Sequence, residues 1–92
     1  MKLVFTEPAL SDLDEILGHI QTTYPTAFVG FETRMAAIVR RIGLWPESAE
    51  QVAARPGVRV VPLIRYPYKI FYRALPDRVE VLSIHHTARR EP

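Results

Sequence analysis

A chain of 92 residues is long enough for one domain with a single hydrophobic core, about two layers thick. It contains no cysteine, which excludes disulfides, thiolate metal sites and thiol nucleophiles. No apolar run approaches the ~20 residues that a membrane-spanning helix needs, and the amino terminus lacks the basic-then-apolar pattern of a secretory signal. The sequence therefore predicts a cytoplasmic protein with no membrane partner.

Charge is unevenly distributed along the chain. Residues 1–33 contain one lysine and five acidic residues, whereas residues 34–92 contain eleven lysines and arginines and five acidic residues. One part of the surface could therefore face an anionic partner while another part stays acidic. The alternative is that folding interleaves the two halves and produces a mixed surface.

The chain opens with a short strand that leads into a helix. Lys2–Phe5 has the composition of a strand, and Thr6 is placed to cap a helix whose first turn holds Glu7 and Pro8. Apolar residues then recur at helical spacing, namely Ala9, Leu13, Ile16, Leu17, Ile20 and Tyr24.

A second amphipathic helix follows after a break. Pro25 disfavours helical geometry at Tyr24, so the first helix should end there. The second apolar stripe comprises Phe28, Phe31, Met35, Ile38, Val39 and Ile42. Gly43 is placed to end this helix, and Arg40 and Arg41 suit the negative end of its dipole. The two segments predict a helical hairpin.

The connection after the second helix is less regular. We expect Trp45 to seal the core beneath the helical hairpin and Glu47–Arg55 to add a helical turn. Pro56-Gly57 is typical of a turn, and Val58–Ile64 reads as an extended apolar strand. Because Pro62 has no amide hydrogen, it must lie at a sheet edge, at a bulge, or with its nitrogen facing outward.

Two further strands form a predicted antiparallel hairpin. Tyr68–Ala74 and Val79–His85 are rich in β-branched and aromatic residues and flank a short break. With Pro76 and Asp77 as the central turn residues, the expected cross-strand pairs are Arg73 with Glu80 and Phe71 with Leu82. The predicted fold is α+β in a single domain over 1–92: an amino-terminal strand, a two-helix antiparallel hairpin, and a three-stranded antiparallel sheet packed on the helices in two layers.

The end of the chain concentrates cationic side chains. They are Arg65, Lys69, Arg73, His85, His86, Arg89 and Arg90. Such a surface suits nucleic acid or an acidic protein. Adjacent strand residues point to opposite faces, so only one of the two histidines can face a given site. The only other histidine, His19, lies on the first predicted helix and no carboxylate sits at ligand spacing from the histidine pair, so no metal site is predicted. The strand aromatics could stack on bases or pack in the core.

Several short motifs, in order along the chain, resemble the RelE/ParE superfamily of small bacterial toxins, and its ParE branch in particular. They are Phe5-Thr-Glu-Pro-Ala-Leu-Ser-Asp-Leu-Asp-Glu-Ile, Gly57-Val-Arg, Tyr66-Pro-Tyr-Lys-Ile-Phe-Tyr-Arg, Asp77-Arg-Val-Glu-Val-Leu and Ile84-His-His-Thr-Ala-Arg. The resemblance implies the toxin of a type II toxin–antitoxin system, held inactive by an antitoxin. RelE-like members cut messenger RNA on the ribosome, and ParE-like members are associated with poisoning of DNA gyrase.

The resemblance extends to individual residues of this chain. It aligns Val60 and Pro62 with strand lysines of RelE-like enzymes, Lys69 with a sheet arginine, and Arg89 with a carboxy-terminal arginine. No tyrosine follows Arg89. Because two catalytic cations and the stacking aromatic are missing, the pattern favours a gyrase-binding inhibitor over a ribonuclease. An inactive homologue that only binds antitoxin is the third alternative.

These arguments give two sets of candidate residues. The predicted partner-binding residues are Arg65, Lys69, Arg73, Arg89 and Arg90, on an electropositive surface that the antitoxin covers. If the protein is a ribonuclease, the candidate catalytic residues are Lys69, His85, His86 and Arg89. No cofactor, metal or small-molecule substrate is predicted.

Overall fold

The computed structural model describes residues 1–88. Its elements are β1 (Leu3–Phe5), α1 (Glu7–Thr23), a short 3-10 helix (Pro25–Ala27), α2 (Phe28–Leu44), β2 (Glu50–Gln51), β3 (Val58–Pro62), β4 (Tyr68–Ala74) and β5 (Val79–His86). Two helices lie on a five-stranded mixed sheet. The predicted α+β class is therefore confirmed. In residues 1–88, neither helix is long and apolar enough to span a bilayer.

The helices begin and end close to their predicted bounds. The Thr6 hydroxyl accepts a hydrogen bond from the Ala9 amide at 3.3 Å, which satisfies an amide that the first turn leaves without a partner. The first helix ends before Tyr24, as the following proline requires, and a 3-10 turn leads directly into α2. The second helix extends one residue beyond Gly43.

The sheet has two more strands than predicted. The strand order is β1-β5-β4-β3-β2, and β1 runs parallel to β5 while the other pairs are antiparallel. The helical hairpin separates β1 from β5 in the chain, so their pairing has no local sequence signal. Glu50–Gln51, predicted within a helical turn, instead pairs with β3 opposite Arg59 and Val60.

The hairpin register departs from the prediction at one point. Arg73 lies opposite Glu80 as expected, but Phe71 lies opposite Ser83 rather than Leu82. Phe71 pairs with Ser83 and Tyr72 pairs with Val81, so a β-bulge leaves Leu82 as an extra residue of β5. Beyond the bulge, every β5 side chain therefore lies on the face opposite to the one that simple alternation would give.

Pro62 lies with its nitrogen facing outward, which is one of the three arrangements that the sequence allowed. The Leu63 amide donates to the Tyr68 carbonyl at 2.9 Å, so the preceding Pro62 nitrogen points to the other side of the strand. On that side the two-residue β2 has already ended, since its last partner on β3 is Val60. The sheet therefore loses no interstrand hydrogen bond through the missing amide hydrogen of Pro62.

The main core lies between the helices and one face of the sheet. Phe31 and Ile42 of α2 pack with Ile70, Tyr72 and Val81 of the sheet, all at most 2% exposed. We call the opposite face of the sheet the outer face. It carries a second, smaller cluster of Val52, Val58 and Phe71, which the segment between β2 and β3 covers.

The predicted role of Trp45 is wrong. Its side chain is 62% exposed, because Trp45 is the first residue past α2 and its backbone has left the helical conformation. The Trp45 carbonyl accepts a bond from the Ser48 hydroxyl at 2.8 Å, and Tyr72 donates to the Pro46 carbonyl at 2.6 Å. Tyr72, rather than the tryptophan, closes this end of the core.

Candidate functional site

Three cationic or basic side chains meet on the outer face around one aromatic ring. Lys69 of β4 and His85 of β5 are cross-strand partners. The Lys69 Nζ lies 5.5 Å from the centroid of the Phe71 ring, the Arg55 Cζ lies 5.8 Å from it, and the His85 and Phe71 ring centroids are 5.0 Å apart. Lysine and arginine are attracted to an aromatic face by its quadrupole. We call Arg55, Lys69 and His85 the cation cluster.

The bulge in β5 decides which histidine belongs to this cluster. His85 lies on the outer face beside Phe71, and His86 lies on the helix side beside Tyr68, with ring centroids 5.5 Å apart. The His86 Nδ1 accepts a hydrogen bond from the Ala88 amide at 3.1 Å. The two histidines therefore lie on opposite faces of the sheet, as the sequence predicted. The bulge decides which histidine lies on which face.

The strand aromatics pack rather than offer surfaces for bases. Phe71 and Tyr72 are fully buried, and Tyr68 is 8% exposed. Burial raises the pKa of the Tyr68 and Tyr72 hydroxyls above their ordinary value, so both stay protonated near neutral pH. The half-buried Tyr66 packs edge-on against Phe31, with ring centroids 5.5 Å apart. The face of Phe71 is already covered, so no base can stack on it.

Arg73 lies on the same strand but does not add free charge to the cluster. Its guanidinium donates to a Glu80 carboxylate oxygen at 2.8 Å, and Arg78 contacts the other oxygen at 3.2 Å. The hydrogen bond from Arg73 is the main reason that the pKa of Glu80 lies below its ordinary value. Arg78 also pairs with Asp77 at 2.9 Å. The charges of this hairpin end therefore offset one another.

Arg65 does not belong to the cation cluster. It follows β3 in the turn to β4, is exposed, and lines a hollow of about 470 Å³ against α2 together with Gly30, Thr33 and Arg34. The structure therefore does not bring Arg65 and Lys69 to one hollow. Arg89 and Arg90 lie outside the described residues.

Sequence reasoning missed Arg55. Its segment was predicted to be a helical turn, but it folds over the outer face and its guanidinium reaches Phe71. The available signal was Pro56-Gly57, where Gly57 has a φ of 79° and reverses the chain into β3. A reversal there brings the preceding residues back over the strand that follows.

The cation cluster can bind an anion, and the imidazole of His85 is its one group that commonly exchanges protons near neutral pH. Beside it, a hollow of about 380 Å³ is lined by residues that include Val60, Pro62, Lys69, Thr87 and the acidic Glu50. Among residues 1–88, no group of three or more His, Asp or Glu side chains could hold a metal ion. The described outer face combines positive charge with a largely apolar hollow.

Comparisons with known proteins agree with this fold. The family described as "ParE toxin of type II toxin-antitoxin system, parDE" matches residues 3–91. A chain from the chromosomal ParDE toxin–antitoxin system of P. aeruginosa superposes with a TM-score of 0.78 at 25% identity, covering 94% of this chain and 95% of that one.

More distant structures share the fold. The isolated E. coli RelE toxin gives a TM-score of 0.61 at 18% identity and covers 98% of this chain and 87% of that one. A chain of the intact E. coli RelBE toxin–antitoxin complex gives the same score and identity over 97% and 98%. No curated protein sequence matches.

Proposed function

Because this chain belongs to the ParE toxin family of type II toxin–antitoxin systems, we propose that it binds and inhibits DNA gyrase and that a cognate antitoxin neutralises it. The proposed target-binding surface is the outer face at the cation cluster. Arg89 and Arg90, which lie outside the described residues, are further candidates on the sequence argument. This proposal places the toxin in the cytoplasm, with its target.

The observation that carries the proposal is the composition of β3 on the outer face. Val60 and Pro62 line the hollow beside Lys69, at the positions that the resemblance aligns with RelE-like lysines. Valine and proline side chains can neither transfer a proton nor neutralise a phosphorane. Phe71 is fully buried, so it cannot hold a splayed base either. These features support binding without bond breaking.

Cleavage through a 2′-hydroxyl needs a base for that hydroxyl, cations for the developing charge and an acid for the leaving oxygen. Within residues 1–88, the cluster supplies the positive charges of Arg55 and Lys69 and one imidazole. Arginine stays protonated in proteins and is a poor acid. One imidazole cannot act as base and acid in the same step.

One observation favours a second candidate function, a RelE-like ribosome-dependent mRNA endoribonuclease. Lys69 and His85 are direct cross-strand partners, so a phosphate bound by Lys69 would lie near an imidazole. In that reaction His85 would be the base and Lys69 the phosphate ligand. His86 faces the helix side and would take no part.

Expression of the toxin in growing cells, with two readouts, tests these alternatives. We expect growth arrest with loss of plasmid supercoiling and intact transcripts. Transcripts cut at defined codons with normal supercoiling would select the ribonuclease, and His85→Ala should then abolish the cuts. An absence of arrest, with folded protein present, would indicate an inactive homologue.

A further inference from the structure

A hollow between α2 and the turn from β3 to β4 gathers cationic and hydroxyl donor groups. Its volume is about 470 Å³. Its lining residues are Gly30, Thr33, Arg34, Ala37, Arg65 and Tyr66. None of the described residues that line it is acidic, so the protein itself supplies no counter-charge there. We call it the arginine hollow.

The two arginines of the hollow are available to a ligand. Within residues 1–88, neither Arg34 nor Arg65 forms a hydrogen bond or an ion pair. By contrast, Arg73 and Arg78 both bind the carboxylate of Glu80. A guanidinium group stays protonated and carries five N–H donors in a planar fork. Each arginine of the hollow therefore presents a full positive charge and a set of unused donors.

Tyr66 supplies a third donor group and fixes its position. Its ring packs edge-on against Phe31, with ring centroids 5.5 Å apart. Its hydroxyl lies against α2, only 2.5 Å from the position that a Cβ on Gly30 would occupy. In the part of the chain that the structure describes, this hydroxyl makes no hydrogen bond. It can therefore donate one to a ligand in the hollow.

Helix geometry brings Arg34 to the same place. Arg34 follows Gly30 by four residues, so the two lie on one face of α2. Helical side chains lean toward the amino terminus, so Arg34 extends toward the turn of helix against which the Tyr66 hydroxyl lies. Arg65 directly precedes Tyr66 in the chain. The three donor groups therefore face one hollow from two sides.

Arg65 occupies its position at a conformational cost. Its φ of 81° lies in the left-handed region that favours glycine, and no other described non-glycine residue has a positive φ. Strained residues of this kind cluster at ligand-binding sites. A glycine would adopt this turn without strain, so the turn itself does not require the arginine side chain. Binding of an anion in the arginine hollow gives that side chain a role.

We propose that the arginine hollow binds a phosphate group. Guanidinium forks match the oxygens of phosphate, and each can donate two parallel hydrogen bonds. The donors reach the hollow from both α2 and the turn, which suits the tetrahedral oxygens of phosphate better than a flat carboxylate. The phosphate belongs either to a nucleic acid backbone or to free phosphate or a nucleotide, and binding measurements distinguish these sources. The inference does not depend on the target of the toxin.

NMR titration of the purified full chain with inorganic phosphate tests the proposal. At constant ionic strength, phosphate should shift the signals of the Arg34 and Arg65 Nε–H groups and leave that of Arg40 in place. Acetate is the comparison anion. It should bind about tenfold more weakly, because it loses at least one charge-assisted hydrogen bond of the site.

Matched variants locate the site. Arg34→Gln should weaken phosphate binding about tenfold, through the loss of a charge-assisted hydrogen bond. Arg40→Gln makes the same change in charge at an exposed position of the same helix and should leave the affinity within about twofold. Tyr66→Phe keeps the packed ring, removes only the hydroxyl, and should weaken binding about threefold. Circular dichroism checks that each variant folds.

A labelled single-stranded DNA of about 12 nucleotides distinguishes the sources of the phosphate. If the ligand is a nucleic acid backbone, Arg34→Gln should weaken this DNA about tenfold and reduce the slope of log K against log salt by about 0.7. If the ligand is free phosphate or a nucleotide, Arg34→Gln should weaken inorganic phosphate and leave the affinity for DNA unchanged. Either result supports a phosphate site.

Three results would overturn the proposal. Equal affinity for phosphate and acetate would make the hollow a general anion or carboxylate site. Equal losses in Arg34→Gln and Arg40→Gln would mean that diffuse charge, and not the hollow, attracts the anion. Wild-type protein that shows no shift at Arg34 or Arg65 with phosphate or DNA would have no such site. These measurements use the toxin alone, so their failure leaves gyrase inhibition unaffected, and a failure to inhibit gyrase leaves the phosphate site unaffected.

Discussion

The outer face of the sheet and helix α2 both carry cations, but the surroundings of these cations differ. On the outer face, Lys69 and Arg55 lie over the ring of the buried Phe71, and Arg73 nearby is ion-paired. Along α2, Arg34 and Arg41 line a hollow together with the buried Ile38 and Ile42 and the acidic Glu50. The outer-face cations thus contact a ring or a carboxylate of the protein itself, whereas Arg34 and Arg41 form no ion pair within residues 1–88.

The largest expected contrast is in the free energy of unfolding, between loss of a buried side chain and loss of an exposed one. Phe71→Ala removes a fully buried ring and should lower the free energy of unfolding by about 3–5 kcal/mol. Ile64→Ala, in the exposed turn after β3, should change it by about 0.5 kcal/mol or less. Urea denaturation of both variants measures this contrast. Similar losses would mean that Ile64 is packed like a core residue.

A smaller effect is expected where the turn between β3 and β4 contacts α2. In Gly30→Ala the new Cβ would lie 2.5 Å from the Tyr66 hydroxyl oxygen, and Tyr66 is held against Phe31. We expect a loss of about 1–3 kcal/mol in the free energy of unfolding. Gly18→Ala in α1 is the control, since no atom lies within 4 Å of its added Cβ, and it should gain about 0.5–1 kcal/mol. Equal stabilisation by both would contradict this packing.

Substitution of Arg65 by glycine tests the effect of its backbone conformation on stability. Arg65→Gly relieves the left-handed backbone and should raise the free energy of unfolding by about 1 kcal/mol, less the entropy that glycine adds to the unfolded chain. Thermal unfolding measures this effect. A destabilised variant would show that the arginine side chain itself holds the turn.

The smallest effect distinguishes paired from unpaired arginines by pH. The pKa of Glu80 is lowered in the folded state, so its stabilising effect is present above the ordinary pKa of 4.5 and is lost as the pH falls through the lower folded value. The urea midpoint of Glu80→Gln should therefore lie below that of the wild type at pH 7 and converge with it in acid. Arg34→Gln, which breaks no pair, should show no such convergence.

The local features of the fold could be predicted from the sequence. The helices follow from apolar stripes, the Thr6 cap and Pro25, all of which act within a few residues. The pairing of β1 with β5 joins residues on either side of the helical hairpin and is decided by packing. The bulge at Leu82 likewise depends on how two strands fit together, so sequence alternation could not assign His85 to the outer face.

The candidate site was predicted only in part. Lys69 and His85 were both named among the cations of the hairpin, and the structure makes them cross-strand partners. Arg55 was missed because its contact with Phe71 depends on a loop that folds across the sheet. Arg34 and Arg41 belong to a regular helix, and sequence alone cannot show that their side chains line one hollow against β3.

The most direct test of the central claim is a gyrase supercoiling reaction titrated with purified toxin, with ribosome-bound mRNA incubated in parallel. The account predicts dose-dependent loss of supercoiling and uncut mRNA. Undiminished supercoiling with mRNA cleaved in a His85-dependent manner would contradict it.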